Sequence, residues 1–482
     1  MTAEGATEPP IRRRSQSIAA FLSFLWPGLG HAYTHRTRAA LLFAVPVLVI
    51  VLIVVVQAAS GLGKLATLII SPSSALTVFI LVVLLGIWRE LAVIDAASAI
   101  PPRGSWRRGR SLLTIGLITV IIGVTHVWAG AVAWALYDAS KNVFVGLEGA
   151  DAGQPVASPV AGAPFASGSP SFAPDDEYVA APFATPPTAA ARINILLTGI
   201  DSAQTRSHAL NDTLLVASID PTSGNVALIS FPRDISNFPM VDGGTYKGKI
   251  NSYMTWVNNH PEDFKDKPLV ELVKELSFLV GAPIHYYAAV DLAGFQKMID
   301  AAGGVTINNQ RAIDDPIYDW LDGSPRGFKL SAGKHHLDGR DALAYVRSRY
   351  TFGDNDFNRA RRQQEVLVAL ANSLTNPSML PRLPGIIDAA GKTVRTNFPS
   401  GRVGEMLELL QGRAGEKVRQ VVLGPPYSYH PPTDQTGGIY TLRLRMDRLA
   451  KLSREVFGSE STYPGPTASN PTPTSAASPV KP

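Results

Sequence analysis

The N-terminal part of the chain is dominated by long apolar runs that are barely interrupted by charge. Three of these runs, 39–58, 66–87 and 111–136, are long enough to cross the hydrocarbon core of a bilayer, which needs about 20 residues as a helix. A shorter run, 17–33, is broken by Trp26-Pro27-Gly28. We therefore predict a membrane region over residues 1–137, with three transmembrane helices and a re-entrant or interfacial hairpin at 17–33.

From residue 192 the pattern changes to short β-rich runs that alternate with helical periods. The runs RINILLTGID, TLLVASID and NVALISF are typical of buried strands, and the last two are joined by the turn sequence Pro221-Thr222-Ser223-Gly224. Helices are predicted at 268–280, 338–346 and 356–374, and a strand, a helix, a turn and a strand within 284–308. Strands alternating with helices indicate a layered α/β domain over residues 192–457.

Two segments flank this domain with a different composition. Ala, Pro, Ser and Gly dominate residues 138–191, which we expect to form an extended linker that lifts the domain off the membrane. Residues 458–482 have the same character and are expected to be a disordered tail. Residues 386–457 are expected to complete the fold and show no motif with chemical meaning.

The composition of the 482-residue chain excludes several kinds of functional site. Its 46% hydrophobic residues fit a protein with membrane segments. It has no cysteine, which excludes disulfides, iron–sulfur clusters, thiolate zinc sites and cysteine nucleophiles. The net charge of +5 fits either anionic partners or arginine-rich loops at a membrane, so the total charge does not choose between them.

The placement of the arginines predicts the orientation of the membrane region. They flank the 17–33 run and fill the expected loop after the second long run, whereas the loop after the first has only Lys64. These arginines are Arg12, Arg13, Arg14, Arg36, Arg38, Arg89, Arg103, Arg107, Arg108 and Arg110. Because positive loops stay cytoplasmic, we expect a multi-pass protein of the cytoplasmic membrane whose chain after residue 137 lies outside the cytoplasm.

Two aspartates and an arginine fall at the ends of predicted strands. Asp201 ends the first strand, Asp212 starts the second and Arg233 follows the third. A hairpin places the start of one strand beside the end of the next, so these side chains are expected to converge at one edge of the sheet. Two carboxylates with open positions suit Mg²⁺, which keeps water or phosphate ligands. Aspartates at strand ends are also typical of turns and caps, and the sequence leaves both interpretations open.

Five arginines are concentrated in the segment YVRSRYTFGDNDFNRARRQQEV. At about 100° per residue, Arg359 and Gln363 extend the apolar stripe of the predicted helix. Arg361 and Glu365 lie on the opposite face and are expected to form an exposed pair, with Arg362 on the border between the faces.

An inward-facing arginine such as Arg359 needs an anion, because an unpaired buried cation is costly. Asp354 or Asp356 could supply it, as could a bound phosphate. Arg347 and Arg349 lie where the short helix ends, and planar guanidinium groups suit bidentate contacts with phosphate oxygens.

These segments resemble, in sequence and in order, the motifs of the LytR–CpsA–Psr family of cell-wall ligases. The resemblance covers about residues 192–385 and rests on LLTGID (196–201), NDTLLVASIDPTSGNVALISFPRD (211–234), KIN (249–251), VDLAGFQKMIDAAGGV (290–305) and LDGRDALAYVRSR…DFNRARRQQEVL (337–367). It implies a central mixed sheet flanked by helices. Members most often have a single N-terminal span, so three spans depart from the pattern.

The resemblance also implies a site and a reaction. Asp201 and Asp212 would bind Mg²⁺, or Mn²⁺ in its place. The pyrophosphate of a polyprenyl-linked glycan would be held by Arg233, Lys249, Arg347, Arg349, Arg359, Arg362 and Gln363. Family members transfer the glycopolymer as a phosphodiester to a peptidoglycan hydroxyl, and a long apolar pocket accepts the lipid tail. Asp234 or Asp356 would take the proton of the acceptor, while Arg233, Arg347, Arg349 and Arg359 would act in catalysis.

Two positions depart from the family pattern. The segment before Asp212 reads SHALN, where an arginine and a hydroxyl residue are usual, and Ile235 stands where a hydroxyl residue is common. Both departures concern groups that would support the site.

Two other functions remain open at this point. The chain could hydrolyse the lipid pyrophosphate with water as acceptor, or bind it as a regulator of the cell envelope without turnover. A nucleic-acid partner is not expected, because the predicted topology places the arginines outside the cytoplasm and half of them face inward.

Overall fold

The computed structural model of the protein describes residues 14–59, 71–101, 105–143, 183–184, 188, 190–201, 210–374, 376, 379, 382–410 and 418–463. The chain divides into two compact units. The first comprises Met1–Leu147, Ala293–Val305 and Leu370–Gly412, and the second comprises Glu148–Leu292, Thr306–Ala369 and Arg413–Pro482.

The bounds of the described elements follow in chain order. The helices are α1 (Gln16–Leu25), α2 (Leu29–Tyr33), α3 (Thr37–Ala59), α4 (Pro72–Ser98), α5 (Ser105–Val143), α6 (Tyr253–Asn258), α7 (Pro268–Val280), α8 (Leu292–Ala301), α9 (Gly339–Arg347), α10 (Asp356–Leu374), α11 (Leu383–Thr393), α12 (Val403–Leu410) and α13 (Met446–Phe457). The strands are β1 (Ile193–Asp201), β2 (Leu210–Ile219), β3 (Val226–Phe231), β4 (Ser236–Pro239), β5 (Thr245–Lys249), β6 (Tyr286–Asp291), β7 (Val305–Asn309), β8 (Ile313–Asp315), β9 (Phe328–Leu330), β10 (Gly333–Leu337), β11 (Val394–Thr396), β12 (Val418–Val422), β13 (Ser428–Tyr429) and β14 (Arg443–Leu444).

Three helical segments of the first unit are long and apolar enough to cross a bilayer. They are Thr37–Gln57, Pro72–Ser98 and Ser111–Lys141. Large apolar side chains such as Leu52, Leu113 and Trp128 are exposed on them, which is unfavourable in water and ordinary against lipid. The shorter run at 17–33 forms α1 and α2, separated at Gly28, whose φ of 103° is a left-handed conformation that glycine adopts without strain.

The second apolar helix is longer than predicted. Expected to end at residue 87, α4 continues to Ser98 and so includes Arg89 and Asp95. The first residues of that predicted span, 66–70, lie outside the described residues.

Two of the charged residues in this extension, Arg89 and Asp95, have partners. The Arg89 guanidinium donates to the carbonyl oxygen of Phe24 at 2.7 Å. The Asp95 carboxylate lies 2.7 Å from Arg36 Nη1 and 2.9 Å from His31 Nε2. A charged side chain that is paired or hydrogen-bonded can be accommodated within an apolar helix, because the partner offsets the cost of removing the charge from water.

The third apolar helix is also longer than predicted. Since α5 runs from Ser105 to Val143, Arg107, Arg108 and Arg110 belong to a helix and not to a loop. Residues 138–143, expected to begin the linker, are helical as well.

The second unit contains a mixed sheet, as the family resemblance predicted. Five strands lie side by side in the order β6, β1, β2, β3, β12. The pairs β1–β2 and β2–β3 are antiparallel, whereas β6–β1 and β12–β3 are parallel. All residues of β3 are buried, in agreement with its continuous apolar sequence VALISF.

A buried amide ties α10 to this sheet. Gln364, which has no exposed surface, donates through Nε2 to Ser230 Oγ at 2.8 Å and to the carbonyl oxygen of Val421 at 2.8 Å. These acceptors belong to β3 and β12, so one side chain fixes the helix against two strands. The arginines on the first turns of α10 are thereby placed relative to the sheet.

The ordered chain continues past the predicted start of the tail at residue 458. A short 3₁₀ helix covers Gly458–Glu460, and the Tyr463 hydroxyl donates to the carbonyl oxygen of Leu279 at 3.0 Å. The Tyr463 ring lies against Gly281, where a side chain would collide with it. The contacts of Tyr463 explain why residues 458–463, expected to belong to the tail, pack against the rest of the second unit instead.

Replacing Gln364 with leucine is expected to lower the free energy of unfolding by about 2 kcal/mol, because Ser230 and Val421 lose their buried donor. Urea unfolding of the full chain in detergent, followed by tryptophan fluorescence, measures the change. Arg361→Leu, at an exposed position of the same helix, is the matched control and should have little effect. Equal unfolding midpoints for the two variants would contradict the role of Gln364.

Candidate active site

Strand register brings the predicted acids and Arg233 to one end of the sheet. Asp201 is the last residue of β1, beside the start of β2, and Leu214 of β2 faces Phe231 of β3. Asp212 precedes Leu214 by two residues and Arg233 follows Phe231 by two, so both lie at the same end of this strand pair. The side chains of Asp201 and Asp212 are outside the described residues, so their convergence rests on the strands alone.

The carboxylate of Asp356 is shared by three guanidinium groups. Its Oδ1 lies 2.8 Å from Arg359 Nη2, 3.7 Å from Arg349 Nη2 and 3.9 Å from Arg233 Nε. Asp356 is the first residue of α10, and Arg359 lies one turn later, only 5% exposed. The prediction that Arg359 faces inward is confirmed, and Asp356 is its anion.

A second carboxylate with a cation adjoins this group. The Lys249 ammonium donates to Asp234 Oδ1, and Arg233 Nε lies 3.9 Å from Asp234 Oδ2. Pairing of β4 with β5 places Ser236 opposite Lys249, which explains why Lys249 reaches back to Asp234.

The resulting cluster is electropositive. We call it the basic cluster, formed by Arg233, Lys249, Arg349 and Arg359 around Asp234 and Asp356. Within these six residues, four cations and two carboxylates leave an excess of two positive charges, which suits an anionic ligand of two or more charges.

Arg347 and Gln363 are held differently. The Arg347 guanidinium lies 5.9 Å from the ring centroid of Tyr318, and burial raises the pKa of that tyrosine while the arginine opposes the rise. Arg347 Nη1 has no hydrogen-bond acceptor within the described part of the chain. Gln363 Nε2 contacts the carbonyl oxygen of Val346 at 3.5 Å. A buried donor without an acceptor is the feature expected of a group that awaits a ligand.

Arg362, predicted to bind the pyrophosphate, is committed to protein acceptors. Its Nε donates to the Tyr345 carbonyl at 2.8 Å, its Nη2 to the Ser348 carbonyl at 2.6 Å and its Nη1 to Asp354 at 2.9 Å. Bonds on all three nitrogens argue against a ligand contact. We therefore assign Arg362 to holding the chain before Arg349.

The prediction of an exposed ion pair between Arg361 and Glu365 is wrong, although Arg361 is exposed as predicted. Arg361 donates to Asn358 Oδ1 at 3.0 Å. Glu365 accepts from the Asn308 backbone N–H at 2.8 Å and from the Tyr345 hydroxyl at 2.8 Å. Because the Glu365 carboxylate accepts these two hydrogen bonds, it is directed to Asn308 and Tyr345 and not to Arg361.

Asp315 is a site-supporting residue that the sequence did not identify. Its carboxylate, 1% exposed, accepts from the Ser348 hydroxyl and the Arg349 N–H at 2.9 Å, and from the Tyr350 N–H at 3.2 Å. A buried carboxylate is stabilised by several donors, and these three come from the segment that carries Arg349, while the Ile317 N–H donates to the other carboxylate oxygen at 3.3 Å. The acidic pair before Pro316 was the available signal, but it is also common in turns.

The segment around Leu442 was expected to carry no chemistry, yet it adjoins the site. The Leu442 N–H donates to the Asp234 carbonyl and the Ser236 N–H to the Leu442 carbonyl, both at 2.8 Å. Ile235 pairs with Leu442 in a parallel bridge and is fully buried. This packing explains an apolar residue at a position where the resembled family commonly has a hydroxyl.

This segment also contributes the phenol of Tyr440. Burial raises the pKa of its phenol, and the carboxylates of Asp234 and Asp356 raise it further. The bond from the Leu442 N–H to the Asp234 carbonyl brings this segment, two residues after Tyr440, to the basic cluster.

The comparisons with known proteins agree on one family. The model of the LytR_cpsA_psr family matches residues 174–456. A protein of Halalkalibacterium halodurans named polyisoprenyl-teichoic acid–peptidoglycan teichoic acid transferase TagU is 26% identical over 264 residues, covering 55% of this chain and 77% of that protein. The regulatory protein MsrR of Staphylococcus aureus is 31% identical over 251 residues, covering 51% of this chain and 69% of that protein.

A solved structure of the same group was also found. The crystal structure of Bacillus subtilis TagV superposes with a TM-score of 0.46 at 23% identity, over 58% of this chain and the whole of that one. The family assignment rests on the sequence match and not on this superposition.

Removing the Asp315 carboxylate is expected to destabilise the protein by about 3 kcal/mol in Asp315→Ala, since three donors lose a buried charged acceptor. Urea unfolding of the full chain in detergent gives the free energy. Asp314→Ala is the matched control, because the neighbouring carboxylate is exposed and pairs with Lys329. Similar losses in both variants would show that Asp315 does not support the segment.

Proposed function

Because the chain belongs to the LytR–CpsA–Psr family, we propose that it is a membrane-anchored phosphotransferase. It moves an anionic or secondary cell-wall glycopolymer from a polyprenyl-pyrophosphate carrier to a hydroxyl of peptidoglycan, forming a phosphodiester. The single observation that carries this proposal is the basic cluster, with its two excess positive charges at one edge of the sheet. Relatives named as teichoic acid transferases support the same reaction.

The proposed anchoring rests on the three long apolar helices of the first unit. With arginine-rich ends in the cytoplasm, an odd number of spans places the second unit on the outer side of the membrane. Lipid-linked glycans and peptidoglycan are both accessible there, and no nucleotide is needed because the pyrophosphate linkage carries the energy of transfer.

The arginines bind and neutralise the pyrophosphate in this proposal. Arg359 and Arg349 already converge on Asp356, so their remaining donors are oriented before the ligand arrives. Pre-oriented cations stabilise the charge that develops on a transferring phosphoryl group, which is the main task in this chemistry. Arg347, with a donor nitrogen that lacks an acceptor among the described residues, is the further candidate for a phosphate contact.

The proposed reaction exchanges one phosphorus–oxygen bond for another. The acceptor hydroxyl oxygen attacks the phosphorus that carries the glycan, and the bond to the bridging oxygen breaks. Polyprenyl phosphate leaves with the electron pair, and the hydroxyl proton passes to a carboxylate. Asp356 has its charge committed to three guanidinium groups, so we assign proton acceptance to Asp234, which is paired mainly with Lys249.

Mg²⁺ or Mn²⁺ is part of the proposal through Asp201 and Asp212. Strand register puts both at one end of the sheet, and two carboxylates with open positions suit these ions. Among the described residues no group of three potential ligands offers a competing site. When bound, the ion would neutralise pyrophosphate charge.

The activity test compares two arginines of α10 in the full chain, reconstituted with a polyprenyl-pyrophosphate glycan and peptidoglycan oligomers. Arg359→Ala is expected to lower the transfer rate by about 10²-fold or more, because a buried donor to the transferring group is lost. Arg361→Ala, an exposed neighbour, should transfer at the wild-type rate. Covalent glycan–peptidoglycan conjugate is measured by gel shift and mass spectrometry.

The same assay separates the alternatives. Release of free phosphorylated glycan at equal rates with and without peptidoglycan would indicate a hydrolase. Binding of the lipid pyrophosphate with no product would indicate a regulator, the role that the name MsrR gives to one relative. Equal activity of Arg359→Ala and Arg361→Ala would remove the basic cluster from the reaction.

Metal dependence has its own test. Chelation by EDTA is expected to abolish transfer, and Mg²⁺ to restore it. Asp212→Asn should weaken Mn²⁺ binding at least about tenfold, since a carboxylate ligand becomes a neutral amide. Electron paramagnetic resonance of Mn²⁺ measures this binding without turnover, with Asp220→Asn, at the β2–β3 turn, as the control. Full activity in EDTA would exclude the metal.

A further inference from the structure

An exposed aromatic pair stands beside the basic cluster. The rings of His430 and Tyr440 are stacked, with centroids 4.7 Å apart and planes inclined by 24°. Tyr440 is 50% exposed, and His430 is exposed as well. Rings that stack and yet remain open to solvent do not serve a core, so their exposed surface is available to a ligand.

The pair is held in place by the backbone on both sides. His430 Nδ1 lies 2.7 Å from the Thr441 carbonyl oxygen, and β13 pairs with β14 so that Tyr429 faces Arg443. The hairpin therefore fixes the two rings relative to each other before any ligand binds.

The same hairpin is joined to the candidate base. Leu442, two residues after Tyr440, donates its N–H to the Asp234 carbonyl. The influence of Asp234 and Asp356 on the Tyr440 phenol agrees with this placement. The aromatic pair therefore lies on the C-terminal segment that is bonded to the backbone of Asp234, whereas Arg349 and Arg359 belong to the segment around α10.

The chemistry of the surroundings favours a sugar ring as the ligand. A pyranose presents a face of C–H groups that stacks on an aromatic ring, while its hydroxyls need polar groups at the edge. Tyr440 and His430 offer ring surface together with the Tyr440 hydroxyl and His430 Nε2, and Arg445 lies 4.9 Å from the ring centroid of neighbouring Tyr429. A carboxylate beside such a surface is positioned to contact a sugar hydroxyl.

We propose that His430 and Tyr440 form a platform for a sugar ring of the acceptor glycan strand, and that this platform presents the acceptor hydroxyl to Asp234. The proposal rests on the transferase function and adds the site of the second substrate. It assigns the donor to the arginines and the acceptor to the C-terminal hairpin.

The test measures acceptor binding directly, without turnover. The full chain in detergent micelles is titrated with a peptidoglycan tetrasaccharide of alternating N-acetylglucosamine and N-acetylmuramic acid, by calorimetry or saturation-transfer NMR. Tyr440→Ala is expected to weaken binding about tenfold by removing the stacked ring, and His430→Ala about fivefold. Tyr440→Phe keeps the ring and should bind within about twofold of wild type.

Controls separate this platform from exposed aromatics in general and from the donor site. Phe352, 95% exposed on another loop, gives the matched variant Phe352→Ala, which should bind the tetrasaccharide as wild type does. Binding of polyprenyl pyrophosphate should be unchanged in Tyr440→Ala. Circular dichroism confirms that each variant is folded.

Several results would overturn the proposal. These are a wild-type protein that does not bind the tetrasaccharide at millimolar concentration, unchanged binding in Tyr440→Ala, or an equal loss in Tyr440→Phe. Loss of lipid pyrophosphate binding in Tyr440→Ala would move the residue to the donor site. If the tetrasaccharide binds in a Tyr440-dependent way but no transfer occurs, the platform is supported and the transferase function is rejected. If transfer occurs and is unaffected by Tyr440→Ala, the transferase function is supported and the platform is rejected.

Discussion

The convergence of the arginines depends on one carboxylate, that of Asp356. Two like charges 4 Å apart repel by about 4 kcal/mol at an effective dielectric constant of 20, so Arg233, Arg349 and Arg359 would separate without an anion between them. Asp356 is itself the first residue of α10, where the helix dipole favours a negative charge. The helix stabilises the carboxylate, and the carboxylate holds three cations that belong to separate parts of the chain.

Around this centre the supporting contacts are made mainly to the backbone. Arg362 binds the carbonyls of Tyr345 and Ser348, and Asp315 binds the N–H groups of Arg349 and Tyr350. Because backbone groups are the same whatever the side chain, the position of the segment is fixed independently of most of its residues. The side chain of Arg349 is not needed for these contacts and is directed to Asp356 in the basic cluster.

Features set by residues close together in the sequence could be predicted from it. Features set by contacts between residues far apart in the sequence could not. The strands of the mixed sheet, α7, α10 and the inward direction of Arg359 follow from periodicity, because one face of each element is buried. Arg362 was misassigned because its acceptors lie 14 and 17 residues earlier in the chain, beyond the range of helical phase. Tyr440 could not be connected with Asp234 from local sequence at all, since only the folded hairpin joins them. The end of α4 was placed at the end of the apolar run, whereas the helix continues through Asp95, which has partners in Arg36 and His31.

The bond between Leu442 and Asp234 has a consequence for the order in which the protein acquires activity. Residues 234 and 442 leave the ribosome far apart in time, and β12, which completes this side of the sheet beside β3, also comes late. Non-local pairing of this kind forms slowly, because the long intervening chain must be ordered first. The basic cluster has its first members early in synthesis, but the aromatic hairpin beside it exists only when nearly the whole chain has been made. A nascent or truncated chain is therefore unable to present the basic cluster and the C-terminal hairpin together.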